Sequence, residues 1–374
     1  MSQTRLMLVG GFLGAGKTTL MARAATLLCA QGKHVGLITN DQASELVDTA
    51  LLRHARLEVR EIAGGCFCCR FGALLDTARN LVEEMAPDII IGEPVGSCTD
   101  LSATVLQPLK DLCAERYRLA PLSVVVDPSR LWEVLEPRRH SPLHASARYI
   151  LRKQVEEADV LLINKQDLLD AAELRDLLVV TREHFPGKAA LAISALTGEG
   201  VAAWLATMMR EDAAGMQIVD VDYDVYAEGE ALLGWLNAAA TITAHRAVDW
   251  PALTLEVLER LQHAMQVRHA EIAHVKLALT TADGQLLANL TTTTGAPTIR
   301  GHIDGTPSSA TLLLNARVEM SHSALQAIVE VILHGMSDAQ LTVRIDTMHS
   351  LSPGRPEPTY RYANVVEEHS TDAI

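Results

Sequence analysis

A chain of 374 residues with 48% hydrophobic and 21% charged residues can bury an ordinary core in two domains, which excludes general disorder. Its net charge of −14 argues against a nucleic-acid or anionic-membrane partner, either of which would need a basic patch. No apolar run approaches the roughly 20 residues that cross a bilayer, and glycines and a lysine interrupt the N-terminal apolar run, so the expectation is a cytoplasmic protein.

In chain order, "RLMLVGG" reads as a strand and "KTTLMARAATLLCAQG" as a helix closed by Gly32. "HVGLITN" and "LEVREIA" read as strands, and "DTARNLVEEMAP" as a helix stopped by Pro87. "DIIIGE", "LSVVVDP", "ADVLLIN" and "AALAIS" are further strands, with helices such as "RYILRKQVEEA" and "AAELRDLLVVTREHF" between them. Apolar runs alternating with helices predict an α/β domain over residues 1–212, with a mostly parallel sheet covered on both faces. Residues 213–228 are acidic and alternate through Asp220, Asp222 and Asp224, which reads as an extended joint with a solvated carboxylate edge. Residues 229–350 give strand, helix, strands, helix, strand. This is the order of a smaller α+β domain of split βαβ type. Leu253, Val257 and Leu261 are its candidate core, and its expected role is a client or dimer surface. Residues 351–374 carry three prolines and read as a loosely held tail. His140 and His144 fall in a loop entering a helix.

"GGFLGAGKTT" fits G-x-x-x-x-G-K-[ST] between a predicted strand and a predicted helix. The backbone N–H groups around Gly11, Gly14, Ala15, Gly16 and Thr19 can turn towards phosphate oxygens, with the helix dipole behind them. Lys17 then reaches the β- and γ-phosphates, and the Thr18 hydroxyl ligates Mg²⁺. "NKQD" follows a later strand with Asn164, Lys165 and Asp167. An Asp carboxylate there accepts from guanine N1–H and its exocyclic amine, which adenine cannot satisfy. "SAL", residues Ser194, Ala195 and Leu196, can offer a backbone N–H to the guanine O6. GTP is therefore the expected nucleotide, and Asn164 and Asp167 speak against a small-molecule kinase built on the same loop. Asp41 and Glu93 end neighbouring strands, where a carboxylate can hold Mg²⁺ or its waters. With Lys17 they are the candidate catalytic groups. Gly96 is placed to bring a backbone N–H to the γ-phosphate.

"GGCFCC" places Cys66, Cys68 and Cys69 within four positions of a chain that has six cysteines. Thiolates suit soft and borderline ions such as Zn²⁺ or Co²⁺. Gly64 and Gly65 allow the turn that would converge the thiols, and Arg70 would favour thiolate. Buried structural cysteines and a disulfide relay are the alternatives. Taken in order, "GFLGAGKTTL", "GCFCC", "EPVG", "NKQD" and "SAL" resemble the CobW-like metallochaperone GTPases, cousins of the nickel-insertion GTPases of urease and hydrogenase maturation. The resemblance spans roughly residues 5 to 210. It implies a metal site at Cys66, Cys68 and Cys69 whose loading or release follows the GTP state, and a client metalloenzyme or corrinoid protein; a homodimer stays open. The stretch "EPVGSCTD" departs from the family pattern and adds Cys98 as a fourth candidate ligand. A regulatory GTP switch with structural cysteines is the competing function.

Overall fold

The structure, a computed structural model, describes residues 3–41, 47–54, 57–136 and 143–367. The described parts of Met1–Gln42, Ala55–Tyr226 and Pro356–Ile374 form one compact unit, and those of Ala43–His54 and Ala227–Arg355 form another.

The first unit is built on strands β1 (Thr4–Gly11), β2 (Val35–Asp41), β3 (Val59–Ala63), β4 (Ile89–Glu93), β5 (Tyr117–Leu119), β6 (Ser123–Val126), β7 (Val160–Ile163) and β8 (Ala189–Ala192). They lie in the order β3-β2-β4-β1-β6-β7-β8, with β5 beside β1, and their pairings are parallel. Every residue of β1, β4, β6 and β7 is buried. Burial on both faces is why these strands read as continuous apolar runs rather than alternating ones. The helices in chain order are α1 (Lys17–Ala30), α2 (Val47–His54), α3 (Phe71–Met85), α4 (Gln107–Cys113), α5 (Pro128–Leu135), α6 (Ala145–Glu157), α7 (Ala171–His184), α8 (Val201–Arg210), α9 (Tyr223–Ala231), α10 (Trp250–Val267) and α11 (His322–His334). Parallel strands bring the C-terminal ends of β1, β2, β4, β6 and β7 to one edge of the sheet. The loops gathered there are where such sheets bind ligands.

The second unit holds strands β9 (Leu233–Ala244), β10 (Ile272–Thr281), β11 (Gly284–Leu290), β12 (Thr298–Ile303), β13 (Ser309–Glu319) and β14 (Leu341–Leu351). They form an antiparallel sheet in the order β12-β11-β10-β13-β9-β14. The run β10-β13-β9-β14, with α10 and α11 as crossovers, is the split βαβ arrangement, and the β11–β12 hairpin extends its edge. Leu253, Val257 and Leu261 of α10 are buried in this unit's core beside Leu236, Leu277 and Leu314. Helix α2 belongs to this unit although it lies between β2 and β3 in sequence. The Val47 N–H donates to Asn315 Oδ1 at 2.9 Å, and Lys276 pairs with Asp48 at 2.5 Å.

Two expectations change. The alternating acidic stretch is not extended at its end: α9 begins at Tyr223, and Asp222 caps it, accepting from the N–H of Asp224 at 2.9 Å and of Val225 at 3.2 Å. A side-chain cap on the first turn outweighs the short alternation. The tail is not loose throughout, because residues 359–366 make hydrogen bonds along the first unit. His140 lies outside the described residues, and His144 sits at the N-cap of α6. No helix among the described residues is long and apolar enough to cross a membrane.

Candidate functional site

The loop between β1 and α1 carries the phosphate motif. Helix α1 starts at Lys17 behind a left-handed Gly16, and the first turn holds Thr18 and Thr19. Lys17 and Thr18 are buried, at 6% and 5% exposure. The Thr18 hydroxyl donates to Glu93 Oε2 at 2.9 Å, and Lys17 Nζ lies 3.6 Å from Glu93 Oε1. Lys17, Thr18 and Glu93 thus meet where the ends of β1 and β4 adjoin. A hydroxyl beside a carboxylate is the hard oxygen donor pair that Mg²⁺ takes, so these residues fit that ion. Gly96 closes on the same loop: a Cβ there would lie 2.7 Å from Leu13 Cδ2 and 3.2 Å from Lys17 Nζ. Asp41 ends β2, next to β4 in register, and its side chain lies outside the described residues.

Asn164 ties the base-side loops together. Its Nδ2 donates to the Ala15 carbonyl at 2.8 Å, and its Oδ1 accepts the Ala195 N–H at 2.8 Å. Ser194 is fully buried, and its hydroxyl accepts the Thr197 N–H at 3.0 Å, while Leu196 and Asp167 are exposed. Three residues outside the sequence expectation join them. Asp127, at the end of β6, pairs with Lys165 Nζ at 2.5 Å. Burial opposes its charge, but Lys165 and Ser129 outweigh burial and hold its carboxyl below the ordinary aspartate value. Arg23 of α1 donates to the carbonyls of Ala195 and Leu196. Gln154 of α6 donates to the Gly96 carbonyl at 3.1 Å and the Cys98 carbonyl at 2.8 Å. Only Asp127 had a readable signal, an Asp-Pro pair at a strand end that starts a helix.

The cysteine loop follows β3. Gly64 and Gly65 both take positive φ, 79° and 145°, and the Arg70 N–H closes a helical turn on the Cys66 carbonyl at 2.9 Å. Phe67 is buried in the core, while the sulfurs of Cys66, Cys68 and Cys69 lie within 4.8 Å of one another. Cys66 Sγ is 2.8 Å from Cys68 Sγ and 3.1 Å from Cys69 Sγ. Cys68 Sγ is 3.7 Å from both Cys69 Sγ and Cys98 Sγ. Sulfurs around a tetrahedral zinc, each at about 2.3 Å from it, stand about 3.8 Å apart. The Cys68–Cys69 and Cys68–Cys98 spacings match that value, and the two shorter ones would have to open. Hydrogen bonds from Cys68 and then Cys69 hold the Cys66 thiol well below its ordinary value. Contacts within the same cluster, with burial, push Cys68 and Cys98 up. Arg70 does not play its expected part: its guanidinium turns to the Gly64 carbonyl at 3.4 Å, and the thiols set each other's charge.

Phosphate loop and thiol cluster on one parallel sheet define a P-loop nucleotide-binding protein with a cysteine group that could hold a metal ion. The family model described as CobW/HypB/UreG, nucleotide-binding domain, matches residues 5–191, half of the chain, and the protein belongs to that family. The zinc chaperone YeiR of Escherichia coli (strain K12) is 30% identical over 171 residues, covering 44% of this chain and 47% of that protein. The zinc chaperone CobW of Sinorhizobium sp is 29% identical over 186 residues, covering 45% of this chain and 52% of that protein. The chain thus spans about half the length of the curated relatives it matches. Among solved structures, the Zn(II)-bound YjiA GTPase from E. coli aligns over 89% of this chain and 99% of its own, with 17% identity and a TM-score of 0.38.

Proposed function

We propose that this protein is a GTP-hydrolysing metallochaperone that takes up zinc on Cys66, Cys68 and Cys69 and couples its delivery to a client metalloprotein to the state of the bound nucleotide. One observation carries the coupling. Cys98, 1% exposed and 3.7 Å from Cys68 Sγ, sits two residues after the Gly96 that closes on Lys17. A γ-phosphate that draws Gly96 moves Cys98, and with it the fourth corner of a thiolate tetrahedron. Sulfur donors and the position of zinc above cobalt in divalent affinity favour Zn²⁺ over Co²⁺ as cargo. Mg²⁺ is assigned to Thr18 and Glu93, with Asp41 as a further carboxylate. Lys17 neutralises charge on the transferred phosphoryl group. Asp167 reads guanine, helped by Lys165 and by the Ser194–Leu196 loop. Hydrolysis is expected to be slow without a partner, because no glutamine or arginine finger stands out among the described residues.

The experiment loads metal-free, reduced protein with zinc and follows nucleotide binding and turnover. Wild type should hold a single zinc ion, lost in the Cys66→Ser, Cys68→Ser, Cys69→Ser triple variant. Hydrolysis should need Mg²⁺ and vanish in Lys17→Ala. Asp167→Ala should weaken GTP binding by roughly 100-fold and leave ATP binding as poor as before. Zinc retained by the triple variant, or a preference of wild type for ATP, overturns the reading.

A further inference from the structure

The chain leaves the second unit after Arg355 and returns along the first, through Pro356 and Pro358, whose rings fix φ and keep the segment extended. The Thr359 N–H donates to the Cys68 carbonyl at 2.9 Å, and its hydroxyl to the Cys69 carbonyl at 3.3 Å. Tyr360 sets its ring edge-on to Phe71, with centroids 5.4 Å apart. Arg361 Nε donates to Asp100 Oδ2 at 2.7 Å, the oxygen that also accepts the Tyr223 hydroxyl at 2.8 Å. The Tyr362 N–H reaches the Ala103 carbonyl at 3.0 Å. One short run therefore touches both segments that supply the thiols: the Cys66–Cys69 loop, and the stretch from Cys98 to Asp100.

We infer that residues 357–362 are a strap that closes the thiol cluster, latched by Arg361 on Asp100, and that its release opens the cluster to metal exchange. The inference rests on the cluster's reading as the cargo site. The latch has an unequal pair of partners: the Asp100 side chain is 0% exposed and that of Arg361 34%. Asp100 is fixed in the body of the unit, and the arginine is the half that can leave. Thr359, Tyr360 and Arg361 are themselves exposed and contribute nothing to the buried core. A segment held by a few hydrogen bonds and one ring edge belongs to the low-stability end of a fold and can open without unfolding the sheet. While closed, the Thr359 N–H and hydroxyl hold the carbonyls of Cys68 and Cys69, the type of outer partner that fixes the ligands themselves.

The test uses the full chain with Arg361→Ala and, separately, Thr359→Pro, which removes the N–H that meets Cys68. Two rates are read: alkylation of Cys66 and Cys69 by iodoacetamide in metal-free reduced protein, mapped by mass spectrometry, and transfer of bound zinc to a chromophoric chelator. Both should rise at least about ten-fold in each variant, with guanine-nucleotide affinity unchanged as the check on folding. Hydrogen exchange at residues 359–362 should rise alongside. Unchanged alkylation in a variant whose strap amides exchange faster overturns the strap. Faster alkylation in a protein that binds no zinc upholds the strap and refutes the metal reading alone, so the two failures are distinguishable.

Discussion

A Cβ on Gly16 would stand 2.4 Å from the Nδ2 of Asn164, the amide that donates to the Ala15 carbonyl. The phosphate loop and the Asn164 loop are therefore fitted to each other at one point, and Gly16 also holds a φ of +96° that L side chains rarely adopt. Gly16→Ala should push Asn164 away, freeing the N–H of Ala195 that it accepts. The expected outcome is loss of nucleotide binding with a destabilisation of about 1–3 kcal/mol, read by calorimetry and by denaturant melts without nucleotide. A Gly16→Ala variant that binds GTP normally would show that the two loops are not coupled there.

Asp127 and Lys165 give a pH-dependent prediction. The folded carboxyl titrates below its ordinary value, so its stabilising contribution is present above the unfolded aspartate range and disappears as pH falls through the folded value. Asp127→Asn should cost about 1–2 kcal/mol at neutral pH and weaken GTP binding, because the Lys165 stem loses its anchor. At pH values below the folded value, where both states are protonated, wild type and variant should melt alike. A stability gap that persists at low pH would assign the cost to packing instead.

What the sequence made legible was local. The phosphate loop, the Asn164–Asp167 run and the cysteine loop each lie within a few consecutive residues, so their spacing and their order along the chain make them readable as candidates. The strap's destination was not legible. It is reached through backbone acceptors such as the Cys68 carbonyl, which no side-chain pattern announces, and a run of prolines reads as a loose end. Strand β12 was missed because "TIRGHI" lies at a sheet edge, with five of its six residues exposed and no apolar face to betray it. The place of α2 in the second unit depends on Asn315 and Lys276, more than 200 residues away in sequence.

Residues just past α8 bear on where the nucleotide unit can be cut. Asp159 accepts from the Gly215 N–H at 2.6 Å and the Met216 N–H at 2.8 Å, and Ala214 is fully buried. A chain ending at residue 212 keeps every nucleotide loop and should bind GTP, but it loses both bonds to a half-buried carboxylate. It should be less stable than a chain ending at 226 by about 3 kcal/mol, measured as a shift in the urea midpoint. Equal midpoints would show that the 213–226 segment does not support the unit.

Cys98 decides whether the proposed metal site has three thiolates or four. Its sulfur already stands at tetrahedral spacing from Cys68, and Gln154 pins the carbonyls of Gly96 and Cys98. The thiol therefore moves only if this segment moves, and the segment also meets the phosphate loop through Gly96. Under the proposed function, sulfur would fill the fourth corner in one nucleotide state, and water or an incoming client ligand would fill it in the other, which is the geometry a transfer step needs. With Co²⁺ as a spectroscopic stand-in for zinc, thiolate charge-transfer absorbance should differ between GTP analogue and GDP by about a quarter, the share of one sulfur in four. Cys98→Ser should abolish that difference while the bands of the other three thiolates remain. A serine variant that keeps the full nucleotide-dependent difference makes Cys98 a packing residue and leaves Cys66, Cys68 and Cys69 as the whole site.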